Sequence, residues 1–356
     1  MLLGREMIKL LITGIVAGFI VVGLPLCLSD RARAQTEADK TLARPTDTAL
    51  IAGAKAEGNV TFYGSSSVDA LKSDADGFKA AYGIPVVFTQ LTSGPLTARV
   101  NQEIAAGAIQ PDVILTADFA AMEKWGSAGQ LALLPQVGFP LSAKYTAPVQ
   151  ANYHGLFFNT SMVSPAEVPK TWHGLLDPRF AGKIVLGSPR ISPAFSTLYY
   201  ALLKDPGYGR AFFEKLAAEG ARIVQSPVLV AQSVTSGEAA LALPGEPYQV
   251  ANAKRQHPEI PIDYRYLDII PAVNSVIAIN VAAKHPKAAE LFVRWMMSPE
   301  GQVAHNGDGR AFSKLGKLPG TLTPPDDPAA VRNDITPLQV AADYPEIIAL
   351  FDQLFK

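Results

Sequence analysis

Apolar residues along this chain fall into two alternating rhythms. Short continuous runs sit at Asn59–Tyr63, Val86–Thr89, Val113–Leu115, Gly155–Asn159, Lys183–Leu186 and Leu241–Leu243. Runs of this length bounded by turn residues read as buried strands. Between them the apolar positions recur at helical spacing. Leu71, Ala75, Phe78 and Tyr82 line one face at 4-3-4 intervals, with Gly83 placed to end the helix. Leu96, Val100 and Ile104 mark a second helix introduced by Thr92-Ser93-Gly94-Pro95, and Phe119, Met122 and Trp125 mark a third that Asp118 can cap. A loop-like stretch over 134–150 separates the first β-α units from a second group that starts at Gly155. Alternating strand and helix predicts an α/β fold.

The stretch Ser275–Gln302 carries the sharpest pattern. It reads as a buried strand (Val276–Asn280), a tight turn, and a helix opened by Pro286. Proline is tolerated at the first helical position because its missing N–H has no intrahelical partner there. Ala288, Phe292, Trp295 and Met296 form the i, i+4, i+7, i+8 stripe of a core-facing helix. Ser298-Pro299-Glu300-Gly301-Gln302 then stops that helix and can start another turn. A last amphipathic helix is expected around Ile347–Phe355.

The N-terminal segment changes the picture. Arg5 and Lys9 precede an almost uncharged run, Leu10–Leu26, interrupted by Gly14, Gly18, Gly23 and Pro25, and Ala32-Arg33-Ala34 follows before Gln35. This order fits an export signal cleaved after Ala34. A retained membrane anchor is the alternative, because the run approaches the lower length of a spanning helix. Glycine, proline and the A-x-A site favour cleavage. The sole cysteine, Cys27, lies inside this segment. Pro25 and Leu26 before it lack the small residue of a lipid-attachment site. Cleavage leaves 322 of the 356 residues, with no thiol and no disulfide. Four basic and two acidic residues leave with the signal, so 27 basic residues face 30 acidic ones, a net of −3. A near-neutral chain has no basic footprint for nucleic acid. No repeat of 20–50 residues is apparent, and Gln35–Pro45 reads as a polar lead-in.

In α/β lobes, ligands sit beyond the carboxyl ends of strands, where helix N-termini offer free N–H groups and a favourable dipole for negative charge. Three loops hold that position. Ser65, Ser66 and Ser67 follow the first strand, Thr92, Ser93 and Gly94 precede the second helix, and Ser188, Arg190 and Ser192 follow a strand of the second group. Hydroxyls, backbone N–H groups and one guanidinium suit a phosphate, phosphonate or carboxylate. Ordinary capping and turn chemistry uses the same residues. Enzyme signatures are scarce: the five histidines (His154, His173, His257, His285, His305) show no metalloprotease spacing, and there is no G-x-S-x-G elbow or P-loop. A hydrolase remains the lesser alternative.

Several segments, in order, resemble the periplasmic solute-binding proteins of ABC importers, in the group that includes ferric-ion, phosphonate, sugar-phosphate and thiamine binders. They are Thr61-Phe62-Tyr63-Gly64, Thr92-Ser93-Gly94, Pro111-Asp112-Val113-Ile114, 126–132 (GSAGQLA), Phe158-Asn159-Thr160, 171–183 (TWHGLLDPRFAGK), Ser236-Gly237-Glu238-Ala239-Ala240, and the KHPKAAELF and SPEGQ stretches of 275–302. The resemblance implies a type II periplasmic binding fold, two Rossmann-like lobes joined by a hinge. Lobe 1 would comprise 58–135 plus 272–312 and lobe 2 would comprise 150–271 plus 313–356, after a signal peptide (1–34) and a lead-in with a first helix (35–57). It implies a periplasmic monomer that binds a small-molecule ligand, needs no cofactor, and hands its cargo to a membrane permease.

Ferric binders of this group place adjacent tyrosines after a G-E-x-x motif and a His or Tyr on the first loop. Here the corresponding positions hold Pro247 and Tyr248, and the first loop is serine. Ferric ion favours hard anionic oxygens, so the missing phenolate speaks against iron and no metal site is expected. The resemblance still brings Glu246 and Tyr248 to the ligand cleft. Tyr199-Tyr200, the only adjacent tyrosine pair, lies in another helix whose stripe (Phe195, Leu198, Tyr199, Leu202) marks Tyr199 as core.

Overall fold

A computed structural model describes residues 44–134, 144–191 and 193–355. The segment predicted as an export signal and Ser192 lie outside these residues. Thr41–Lys356 form one compact unit.

Two sheets organise that unit. The first has seven strands in the order β11-β4-β10-β3-β1-β2, with β12 paired to β10. Its members are β1 (Val60–Gly64), β2 (Val86–Gln90), β3 (Val113–Thr116), β4 (Ala147–Tyr153), β10 (Ile270–Ile279), β11 (Phe312–Ser313) and β12 (Val331–Arg332). The second has five strands in the order β7-β6-β8-β5-β9. These are β5 (Gly155–Asn159), β6 (Ile184–Gly187), β7 (Arg222–Val224), β8 (Leu241–Gly245) and β9 (Ile262–Arg265). Parallel pairing of β1 with β2 and β3, and of β6 with β7 and β8, puts the carboxyl ends of each trio at one edge of its sheet. β10 runs antiparallel between β3 and β4.

The helices α1 (Thr48–Glu57), α2 (Val68–Tyr82), α3 (Ser93–Ala105) and α4 (Phe119–Ser127) flank the first sheet's parallel strands. Asp47 starts α1 by accepting from the N–H groups of Ala49 and Leu50, at 2.9 and 3.1 Å. Ser67 caps α2 and Gly83 ends it in the left-handed region at φ 75°. Asp118 caps α4 by accepting from Ala121 N–H at 3.0 Å. Such caps satisfy helix-end donors that have no intrahelical partner.

The stretch read most sharply from sequence becomes α9 (Pro286–Met296) followed by α10 (Pro299–Asn306), which Ser298 caps. Phe292 meets Phe62 and Phe78 edge-on, each at 5.1 Å between ring centroids, and Trp295 lies 5.7 Å from Phe78. Gly77 makes room for that indole: a Cβ there would stand 2.9 Å from two ring atoms. Beside this core the buried Asp112 carboxylate accepts from Thr61 N–H at 2.8 Å, from His285 N–H at 3.1 Å and from His285 Nδ1 at 2.8 Å. It thereby ties β3, β1 and the entry to α9 together.

The second sheet carries α5 (Pro193–Lys204), α6 (Gly209–Ala218), α7 (Pro227–Thr235) and α8 (Pro247–Gln256), and the C-terminal α11 (Pro337–Leu354) packs on α5. Tyr199, Phe213, Ile347 and Phe351 share one core. A capping box of Thr336 and Gln339 opens α11.

Two readings need correction. Residues 147–150, read as loop, are the first half of β4. Its alternating burial rests on the small residues Ala147, Val149 and Ala151, and Pro148 disguises it. Proline has no N–H for a ladder, and Pro148 sits opposite Val276, where the register slips between Ser275 and Val276. The strand read as Val276–Asn280 in fact begins at Ile270, because Pro271 and Asn274 hide its first half.

Trp295→Ala is expected to lower the unfolding free energy by about 3–5 kcal/mol, the usual cost of deleting a buried large aromatic. Denaturant titration of the purified protein checks this, and a loss under about 1 kcal/mol contradicts the packing described.

Candidate functional site

Between the two sheets lies a cavity of about 580 Å³, within the range of small-molecule sites. Its walls come from both halves of the molecule. Ala117 and Phe119 follow β3, Thr146 and Pro148 belong to β4 and its approach, and Ala272, Val273, Asn274 and Val276 belong to β10. Pro189, Arg190 and Ile191 follow β6, Ser196 and Thr197 lie on α5, and Asn333, Ile335, Thr336, Pro337, Val340, Ala341 and Tyr344 lead into and along α11.

The floor and much of the wall are apolar, and polar groups converge at a few points: three threonines, a serine, two asparagines, Tyr344 and Arg190. The Arg190 guanidinium reaches Asp352 Oδ2 at 2.7 Å, with both side chains more than half exposed. An ion pair so open to water contributes only about 0–1 kcal/mol, so it holds Arg190 loosely at the cavity's edge. Ser188 is buried, and its hydroxyl accepts from Arg190 N–H at 3.2 Å, which sets the turn that presents Arg190.

The other sequence-derived candidates stand elsewhere. Ser66 Oγ lies 3.2 Å from His305 Nε2, and Ser67 is spent on capping α2 through Ala70 N–H. Ser65 donates its N–H to Leu115 O at 2.9 Å, fastening the first loop to β3. Thr92, at the N-cap of α3, makes no side-chain capping bond, and Ser93 and Gly94 form the first turn of that helix. None of these lines the cavity. Glu246 precedes α8 and accepts from Gln249 Nε2 at 2.6 Å and from the Tyr248 hydroxyl at 3.3 Å. Burial, then the neighbouring Glu246 charge, pushes the Tyr248 phenol well above its ordinary range, so Tyr248 stays a neutral hydroxyl. Tyr199 is fully buried and donates to Gly187 O at 2.6 Å.

Sequence reasoning missed two groups. The α11 wall follows helical spacing through Pro337, Val340 and Tyr344, but nothing local tells a cavity-lining face from a core-facing one. His154, between β4 and β5, is fully buried 3.6 Å from Glu246 Oε1, and its ring nitrogens make no hydrogen bond among the described residues. The described residues contain no group of three or more His, Cys, Asp or Glu arranged to hold a metal ion, and no helix among them is long and apolar enough to cross a membrane.

Comparison with known proteins fits this architecture. The family described as bacterial extracellular solute-binding proteins matches residues 64–303. HitA of Pseudomonas aeruginosa, in its iron-bound form, superposes with a TM-score of 0.65 at 23% identity, over 83% of this chain and 99% of that one. The periplasmic binding protein AfuA of Actinobacillus pleuropneumoniae, with fructose-6-phosphate bound, gives 0.59 at 19% identity, over 84% of this chain and 98% of that one. The phosphoglycerate transport regulatory protein PgtC of Salmonella typhimurium is 24% identical over 265 residues, which is 71% of this chain and 64%, just under two thirds, of that protein. The fold is that of the type II periplasmic binding proteins, an α/β architecture of two lobes. The chain belongs to the bacterial extracellular solute-binding protein family.

Filling the cavity tests its role. Ala341→Trp, at an exposed position of the α11 wall, is expected to weaken solute binding by about ten-fold or more while changing stability by less than about 1 kcal/mol. Calorimetry and thermal unfolding check the two halves separately, and unchanged affinity removes this cavity from the binding path.

Proposed function

We propose that this protein is the solute-capturing component of an ABC importer. It works in the bacterial periplasm as a monomer and takes a small organic solute that bears a phosphate, phosphonate or carboxylate group. The observation that carries the reading is the cavity, built from both sheets and apolar in its floor, with a weakly held guanidinium at its edge.

The apolar surface of Val273, Val276, Val340 and Phe119 receives the body of the solute, and Arg190 receives its anionic group. The exchange is favourable. Arg190 gives up an exposed pair with Asp352 worth about 0–1 kcal/mol and gains a charge-assisted bond worth about 1.5–3 kcal/mol. Groups from both lobes meet the solute together only when the lobes approach, so binding shifts the population toward a closed form. The closed form is what a permease recognises. The protein then has no catalytic step to perform. The names of PgtC and AfuA, a phosphoglycerate transport regulator and a fructose-6-phosphate complex, support a phosphorylated solute, and Pro247 in place of a second tyrosine speaks against iron.

A thermal-shift panel of phosphate esters, phosphonates, small carboxylates and ferric salts tests the reading. A solute at a hundred times its dissociation constant stabilises by about 2.7 kcal/mol. A raised melting temperature with an organic anion supports the proposal, and Arg190→Ala is then expected to weaken that solute by about ten-fold or more. A shift with ferric ion alone replaces the proposal with iron capture around Glu246 and Tyr248. No shift with any anion overturns it.

A further inference from the structure

Behind one wall of the cavity stands a cation with no counter-charge. Lys314, in the turn that follows β11, is partly buried, and its Nζ donates to Asn274 Oδ1 at 3.1 Å. It forms no ion pair among the described residues.

Asn274 lines the cavity through its side chain. Successive residues of a strand point to opposite faces, and Ala272, Asn274 and Val276, alternate residues of β10, all border that space. The cavity face of the strand is therefore the face that carries the Asn274 amide. Register puts Lys314 on the same face. Asn274 lies opposite Ala151 on β4, Ala151 lies opposite Phe312 on β11, and Lys314 follows two residues later. The main chain at that point is anchored, because the Lys314 N–H and the Ser313 hydroxyl both donate to Gln302 Oε1 at 3.0 Å. From this fixed turn the lysine reaches across β4 to the wall of the cavity.

The orientation of the amide follows from its partner. Burial pulls the Lys314 amine below its ordinary value, and with part of the side chain still in solvent it remains an ammonium at neutral pH. An ammonium donates and cannot accept, so the Asn274 oxygen faces Lys314 and the nitrogen turns away from it. That nitrogen makes no hydrogen bond among the described residues and is not one of their buried, unpartnered atoms. Its N–H groups are therefore open to the space that Asn274 lines. A charge-assisted bond to the oxygen also polarises the amide and strengthens the donors at the nitrogen.

We infer that Lys314 fixes Asn274 as a hydrogen-bond donor into the cavity, which makes Asn274 a specificity-determining residue for an acceptor oxygen of an anionic group. Lys314 is a positioning residue in this account: it touches no solute, and it supplies the amide's orientation and a positive charge behind it. A solute that presents an ammonium to this wall meets a donor backed by a like charge and is disfavoured. The inference rests on the proposed solute-binding role, and it adds a residue that reads the anion from the first sheet, beside Arg190 from the second.

Asn274→Asp nearly keeps the shape of the side chain, gives Lys314 a carboxylate partner, and replaces the open donor with an acceptor. Glycerol 3-phosphate, measured by calorimetry on the full protein, is expected to bind the wild type and to lose about ten-fold or more in affinity with Asn274→Asp. Without solute, that variant is expected to melt no lower than the wild type. Lys314→Met keeps the stem and removes the charge; it is expected to lose about ten-fold as well, and Lys314→Arg to recover part of the loss. A link that only ties β11 to β10 predicts wild-type affinity in Asn274→Asp. Unchanged affinity in Asn274→Asp or in Lys314→Met overturns the inference and leaves the proposed function standing. Failure of the wild type to bind glycerol 3-phosphate removes the phosphomonoester reading of the function and overturns the inference with it.

Discussion

The structure depends on the placement of β10. This strand lies antiparallel between β4 and β3 and completes the first sheet after the chain has left it to build the second. The chain departs through β4 into β5 and comes back through β9 into β10, so the two crossings run side by side. That pairing buries Ala147, Val149 and Ile277 in one core and Val276 and Ala278 in another. Without it the first sheet loses its junction with β4 and β11, and α9 loses the surface it covers. The same strands floor the cavity through Pro148, Val273 and Val276, so the element that joins the lobes also touches what lies between them.

The chemistry around this junction is sparing in charge. Arg190 is held by an exposed carboxylate and is easily re-partnered, whereas the buried polar groups are arranged in fixed pairs. Asp112 receives three N–H bonds, His305 is clamped between Asp74 and Gln150, and Glu246 gathers Gln249 and Tyr248. Fixed pairs give direction to hydroxyls and amides, and a loose pair leaves a cation free to exchange partners. His154, buried beside Glu246 at the junction of β4 and β5, is one exception, a polar ring at the crossing without a hydrogen-bond partner among the described residues.

How much of this was legible in the chain varied with the length of the pattern. The α9 stripe was clear because Ala288, Phe292, Trp295 and Met296 repeat over three turns in one element, and all are buried. β4 was hidden because its inward residues are small and Pro148 interrupts it at a register slip. The three candidate loops came from a general rule about strand ends, and one of them lines the cavity, through Pro189, Arg190 and Ile191. The Asp74–His305–Ser66 cluster was out of reach. Its members are separated by up to 239 positions, and each alone reads as a capping serine, a helix aspartate or an isolated histidine.

The central claim is that solute draws the two lobes together. Spin labels at Val87 on β2 and Val228 on α7, positions that are 58% and 61% exposed, report the separation of the two sheets once Cys27 is replaced by serine. Pulsed dipolar spectroscopy with an oxyanion solute that raises the melting temperature should give a distance distribution shifted and narrowed relative to the free protein. Stabilisation by that solute with an unchanged distribution would contradict closure and leave a rigid binding module in its place.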